Sequence, residues 1–284
     1  MFDNRLGKCN SYTHIFEVTD KTPFNHKCRT IPSSLIDKVD ETIKQMLPGG
    51  VIQKSNSVYV TPLCIMLKKD NTVRLTIDAR VLNKSCVPNH YRTMNIEQLL
   101  ERVNGAKYFS IIDLSSSFWQ VELSEECRNF TAFLHNGKQY RFNKTPFGHN
   151  SSNAALLRAL DNIFGDEINS FAASFVDDFC IFDNNYEEHF SHINYILGKL
   201  ASHGFTINPS KIQFCKREVG FLGYIISENG IKPNPDRISV LMAIPPPRNV
   251  RQLRRFLGIY QHQARFLINY AKEAQPLREL LKKR

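Results

Sequence analysis

No apolar run in these 284 residues is long enough to cross a bilayer, and no secretory hydrophobic region is present. The expectation is a chain that neither spans a membrane nor is secreted. No C-x-x-C pair occurs. The cysteines (Cys9, Cys28, Cys64, Cys86, Cys127, Cys180, Cys215) are scattered and odd in number. That argues against a zinc site and fits reduced thiols in a cytoplasmic or nuclear compartment. There is no G-x-x-x-x-G-K-[ST] loop, no G-x-G-x-x-G and no nucleophile elbow, which argues against an NTPase, a dehydrogenase and a hydrolase. Internal repeats and low-complexity tracts are also missing.

What is present is basic charge. Lys and Arg number 37 against 27 Asp and Glu, a formal net charge of +10. A globular chain this basic suggests a polyanionic partner, most simply nucleic acid. At 42% hydrophobic residues it can build one large or two modest cores.

The most informative stretch is Ser174-Phe175-Val176-Asp177-Asp178-Phe179-Cys180-Ile181-Phe182. Two adjacent carboxylates stand between two strand-like runs, at a tight turn. Side-by-side acids repel, and divalent cations explain them best. Asp113 ends another strand-like run, Tyr108-Phe109-Ser110-Ile111-Ile112. One Asp from one strand and a pair from a neighbouring hairpin make the ligand set of two-metal phosphoryl transfer. The bland alternative is a solvated turn.

Patterning predicts a helix from Pro32-Ser33-Ser34 through Leu47, and strands over Val58–Lys68 and Val73–Ile77 around the turn Lys69-Asp70-Asn71-Thr72. Further helices are predicted over Asn95–Val103 and 151–164. Asn136-Gly137-Lys138 reads as a hairpin turn between Thr131–Leu134 and Gln139–Phe142. Asn185 caps a helix with the stripe Phe190, Ile193, Leu197 and Leu200, ended by Gly204. A strand pair follows around Phe214 and Phe221–Ile226. Residues 1 to 30 read as irregular, and the prolines from Pro233 to Pro247 as a linker. Asn249 caps a last helix with Leu253, Phe256, Leu257 and Tyr260 apolar. Arg251, Arg254, Arg255 and Arg265 crowd that helix, either as a solvated face or as phosphate contacts. His189-x-x-His192 has metal-ligand spacing but no third ligand, so it reads as a solvated helix face.

In order along the chain, several short strings together resemble one family. Residues 49–62 (G-G-V-I-Q-K-S-N-S-V-Y-V-T-P), 66–84 (M-L-K-K-D-N-T-V-R-L-T-I-D-A-R-V-L-N-K) and 109–120 (F-S-I-I-D-L-S-S-S-F-W-Q) are the longest. T-P-F-G, F-V-D-D, N-P-S-K, F-L-G-Y and the tail R-N-V-R-Q-L-R-R-F-L-G-I-Y follow at the family's intervals. The chain resembles the reverse transcriptase of gypsy-class LTR retrotransposon Pol polyproteins, related to retroviral reverse transcriptases.

The resemblance implies an α+β, right-hand polymerase fold whose palm is an antiparallel sheet backed by helices. Fingers would span 1–90 with a return over 121–150, palm 91–120 and 151–230, and the start of a thumb 231–284. No ribonuclease H, integrase or protease domain is expected within these residues. The implied activity is RNA-directed DNA polymerisation. The implied partners are an RNA or DNA template with its primer, deoxynucleoside triphosphates, and other Pol domains or a dimer partner. The implied setting is a virus-like particle in the cytoplasm, or the nucleus.

Asp113, Asp177 and Asp178 match the family's ligands for two magnesium ions, with manganese as a substitute. Lys68 and Arg74 match residues that grip the triphosphate. Phe118 matches the floor beneath the nucleotide sugar, and Phe147 with Gly148 the turn beside the nascent base pair. Phe221, Leu222, Gly223 and Tyr224 match the primer-positioning hairpin, and Arg251, Arg254 and Arg255 lie where a nucleic-acid contact is expected. Lys211 takes no firm role, and Trp119 and Gln120 are ambiguous. Ser117 departs from the family's Gly or Ala, Asp183 from a common Ser. His149-Asn150-Ser151-Ser152-Asn153-Ala154-Ala155 replaces L-T-N-A-P-A-T. These departures leave open a second reading, a weakly active or inactive retroelement-derived chain that binds nucleic acid or protein.

Overall fold

The structure, a computed structural model, describes residues 5–68, 70–89, 91, 94–261 and 263–281. Lys69 of the predicted turn lies outside them. A four-stranded antiparallel sheet organises the middle of the chain, in the order Gln213–Lys216, Tyr108–Asp113, Asp178–Asp183, Ala172–Phe175. Its central strands are almost continuously apolar because both faces are covered. On one face Ile112, Phe179 and Ile181 pack with Leu156, Leu160, Ile193, Ile196 and Leu200 of helices Ser152–Phe164 and Tyr186–Ser202. On the other, Phe109, Ile111 and Cys180 meet Leu99, Leu100 and Val103 of helix Ile96–Val103. That side also receives Phe221 and Tyr224 from a second sheet, Glu218–Phe221, Tyr224–Ser227 and Gly230–Pro233. Phe109 and Phe179 are fully buried, and truncating such a ring to Ala costs about 3–5 kcal/mol.

A separate core lies between helix Ile36–Met46, the hairpin Leu63–Leu67/Val73–Ile77 and the sheet Ile52–Lys54, Lys138–Phe142, Phe133–His135. Asn136 and Gly137 have φ of 48° and 71°, the mirror-image turn that an Asn-Gly pair favours between antiparallel strands. Capping asparagines fix several helix starts. Asn95 forms a reciprocal capping box with Gln98, Asn185 accepts from the Glu187 and Glu188 N–H groups, and Asn249 accepts from Gln252 N–H.

Several expectations need correction. Val58 to Pro62 is not part of the hairpin strand, which starts at Leu63. Thr131 closes a 3-10 turn instead of opening a strand. Described residues 5–30 are irregular as expected apart from the two-residue strand Thr13–His14, which pairs in parallel with Glu122–Leu123, but Cys9, His14, Phe16 and Val18 are buried. The proline-rich stretch is structured in its first part, while Pro245-Pro246-Pro247 connects two helices without regular structure, as expected. Pro233 ends a strand and Pro235 starts helix Pro235–Met242, a position where a missing N–H costs nothing. Helix Val250–Gln261 stops before Arg265 and is followed by helix Tyr270–Glu279. Phe190 is exposed, because helix Tyr186–Ser202 buries His189, Ile193, Ile196 and Leu200 instead.

Candidate active site

Asp178 is the first residue of its strand and pairs directly across from Asp113. Asp177 sits in the two-residue turn before it, and its carbonyl accepts the Leu114 N–H at 3.1 Å. The turn needs a left-handed residue, and Val176 supplies it at φ 60°. A β-branched residue there stores strain of order 1–3 kcal/mol, which surrounding packing must hold. The three acids are thus brought to one end of the central sheet.

Their electrostatics are unfavourable. Burial, a hydrogen bond with Asp113, and repulsion from Asp177 and Asp113 push Asp178 up to about 7; Lys211 opposes this. Asp177 is raised by burial and by the Asp113 charge, while a hydrogen bond from Ser117 pulls the other way. The Ser117 Oγ donates to Asp177 Oδ2 at 3.2 Å. The hydroxyl that departs from the family pattern therefore touches a candidate ligand. Lys211 Nζ lies 2.9 Å from Asp113 Oδ1 and 3.1 Å from Oδ2.

This donor set fits a hard divalent cation: all oxygen, clustered, partly buried and short of positive charge. An ammonium already stands in for a cation on Asp113. Among the described residues, no group of three His, Cys, Asp or Glu side chains closes around a single point. The acids instead form a cross-strand pair with the turn carboxylate beside it.

The other expected residues fall into two groups. Phe118 and Phe147 pack at a centroid distance of 4.9 Å, and the Arg74 guanidinium lies 4.9 Å over the Phe147 ring. Arg74 is exposed, so its stack on Phe147 leaves the guanidinium open to an anion. Lys68, at the end of the same hairpin, is exposed. Gly148 has φ 98°, and a Cβ there would strike the Ile77 carbonyl oxygen. The close approach that glycine permits is therefore to a neighbouring strand of the fold. In the second group Phe221 and Tyr224 are buried, while Leu222 and Gly223 form a tight turn at φ 51° and 82°. Phe221 and Leu222 share a pocket of about 400 Å³ with Asp113, Asp178 and Lys211. Arg251, Arg254 and Arg255 are exposed and are not drawn into this pocket.

Gln120 is structural. It is fully buried, donates to the Ser115 and Thr206 carbonyls, and accepts from Thr206 N–H at 2.7 Å. Trp119 packs against the separate core formed by helix Ile36–Met46 and the hairpin Leu63–Leu67/Val73–Ile77.

Segment 149–155 forms a buried polar chain. His14 bonds Thr145 Oγ1 at 3.1 Å and Ser151 Oγ at 2.9 Å. Ser151 Oγ bonds His149 Nδ1 at 2.8 Å, and His149 Nε2 reaches Cys86 Sγ at 3.5 Å. Burial holds both imidazoles neutral, His14 down to about 3 and His149 down to about 4.

The His189-x-x-His192 reading is overturned. His189 is fully buried, between Ser110 Oγ at 2.8 Å and Asp183 Oδ2 at 2.7 Å. His192 meets the other Asp183 oxygen at 2.9 Å and stacks on Phe171 at 3.8 Å. Asp183 is the partner that makes burying His189 tolerable. The only sequence signal for this was the unusual Asp itself.

Comparison with known proteins agrees with this fold. Residues 66–226 match the model of the reverse transcriptase (RNA-dependent DNA polymerase) family. A retrovirus-related Pol polyprotein from transposon 297 of Drosophila melanogaster is 32% identical over 99% of this chain, which spans 27% of that polyprotein. A foamy viral protease-reverse transcriptase solved with double-stranded DNA superposes with a TM-score of 0.93 at 24% identity, over 99% of this chain and 49% of that one. The same viral protein with an RNA/DNA hybrid gives 0.86 at 24% identity, over 99% of this chain and 38% of that one. With an antiparallel palm-like sheet, a triad of acids at its end and a family match over more than half its length, the chain belongs to the reverse transcriptase family.

Proposed function

We propose that this chain is an RNA-directed DNA polymerase core that adds deoxynucleotides to a primer 3′ end. The observation that carries this is Asp113 lying directly opposite Asp178, with Asp177 in the adjoining turn. Asp113, Asp177 and Asp178 would hold two magnesium ions, or manganese in their place. Such ions, when bound, neutralise charge on the attacking and leaving oxygens of the phosphoryl transfer. Ser117 orients the Asp177 carboxylate and favours its ionised form.

The remaining roles follow from position and chemistry. Arg74, fixed on Phe147, and Lys68 at the exposed hairpin offer a planar fork and a mobile point charge to a triphosphate. Phe118 presents a ring beneath the sugar and excludes a 2′-hydroxyl by volume. Phe221 to Tyr224 place the primer end beside the acids. Arg251, Arg254 and Arg255 bind duplex phosphates from an exposed helix face. In this assignment residues 1–90 and 121–150 are fingers, 91–120 and 151–230 palm, and 231–284 the start of a thumb.

The altered segment 149–155 is the feature that favours the non-enzymatic alternative. Its buried imidazole and hydroxyls are paired, His149 through Ser151 to His14, which supports a repacked working loop over a decayed one. Primer extension on an RNA template, with deoxynucleotides and magnesium, tests the proposal directly.

A further inference from the structure

Lys211 holds both oxygens of Asp113, the edge from which a cation would take its ligands. We propose that Lys211 is a built-in counter-ion, occupying the cation position on Asp113 until a divalent ion displaces it. The affinity of the site for divalent ions is then set by competition with a lysine of the same chain. The inference rests on the metal-dependent reading above.

The placement is built into the fold. Lys211 ends a single 3-10 turn, Pro209–Lys211, capped by the Asn208 side chain accepting from Ser210 N–H at 3.2 Å. The Asn208 N–H donates to the Asp113 carbonyl at 2.8 Å. The turn carrying the lysine is therefore bonded to the backbone of the residue whose carboxylate the lysine neutralises. Leu114, next in the chain, bridges to Ile207 and fixes the same register.

Charge gives the contact its purpose. Among the described residues lining the shared pocket, Lys211 is the only cation facing Asp113 and Asp178. Without it, clustered carboxylates would be left with no countercharge, an arrangement that destabilises a partly buried site. With an incoming dication, the same ammonium becomes surplus like charge beside the metal.

The contact is also easy to exchange. The Lys211 side chain is 61% exposed, that of Asp113 only 9%. The lysine can swing into solvent on its flexible stem while the carboxylate stays in place. An ion pair this exposed is weak. A dication that engages several oxygens at once outcompetes a monocation that holds one carboxylate.

The proposal predicts two opposite effects from removing the charge. The metal-free protein loses its countercharge and melts at a lower temperature. The metal site loses its competitor and binds more tightly. A lysine that merely packs would give neither, and one that supports the ligands would weaken binding.

The test is a manganese titration of the full chain, without primer or nucleotide, read by electron paramagnetic resonance of free Mn²⁺. The variants are Lys211→Met, Lys211→Gln and Lys211→Arg, with Asp177→Asn to assign binding to this site. Lys211→Met and Lys211→Gln should lower the Mn²⁺ dissociation constant about three- to tenfold. They should also lower the metal-free melting temperature and enlarge the rise caused by Mn²⁺. Lys211→Arg keeps the charge and should stay near the parent. The glutamine variant keeps the test valid if the methionine variant does not fold. A dissociation constant that is unchanged or higher in both neutral variants overturns the counter-ion role and leaves the polymerase reading intact. Absence of Asp177-dependent Mn²⁺ binding in every form of the chain overturns both.

Discussion

Replacing His149 by leucine, the residue the family pattern carries there, should flatten the acid limb of the protein's stability curve. His149 is 5% exposed and its ring packs 4.3 Å from Phe16. Burial lowers its pKa from 6.5 to about 4. The unfolded chain takes a proton that the folded chain refuses. The contribution of this group is therefore at its most favourable above the unfolded value, and stability is lost as pH falls from there towards the folded value. At about pH 5 the linkage amounts to roughly 2 kcal/mol. His14 acts in the same direction, and Asp178, whose pKa is raised, in the opposite one. Both remain in the variant, so comparing parent and variant at two pH values largely cancels them. The assay is urea unfolding followed by Trp119 fluorescence, at about pH 7.5 and about pH 5. On acidification the variant should gain roughly 1–2 kcal/mol relative to the parent. Parallel pH dependence would refute the buried neutral imidazole.

Two predictions concern substrates. Phe118→Val should admit ribonucleotides with a smaller loss in deoxynucleotide use, and Phe118→Tyr should behave like the parent. Single-nucleotide incorporation measures both, and undiminished rejection of ribonucleotides by the valine variant would make Phe118 a packing residue only. Arg254→Ala combined with Arg255→Ala should weaken binding to an RNA–DNA duplex and flatten its salt dependence by about 1–2 in log–log slope. Fluorescence anisotropy at several salt concentrations checks this, and an unchanged slope would place the phosphate contacts elsewhere.

The elements that carry the acids were legible because their signals are local. An apolar run bounded by a turn marks a buried strand, and Asp113, Asp177 and Asp178 fall at the ends of such runs. Asn136-Gly137 and the capping asparagines Asn185 and Asn249 speak through their own backbone geometry. What stayed hidden depends on partners distant in sequence or on a competing local rule. His189 is buried because Asp183 and Ser110 meet it, and helical periodicity alone favours Phe190 one position on. His14 and His149 lie 135 positions apart yet are joined through Ser151. Pro233 and Pro235 read as a linker, although a proline in the first turn is also a helix-start signal. Lys211 matched a family string without a role until the fold brought it onto Asp113.

The central claim is that Asp113, Asp177 and Asp178 form one metal-dependent polymerising centre. Its most direct test is primer extension on an RNA template by the purified chain, run beside Asp177→Asn with primer–template binding measured in parallel. The parent should extend the primer only with magnesium or manganese, and Asp177→Asn should abolish extension while leaving binding largely intact. Extension that survives Asp177→Asn, or a parent that binds primer–template but extends nothing with either ion, would contradict the account.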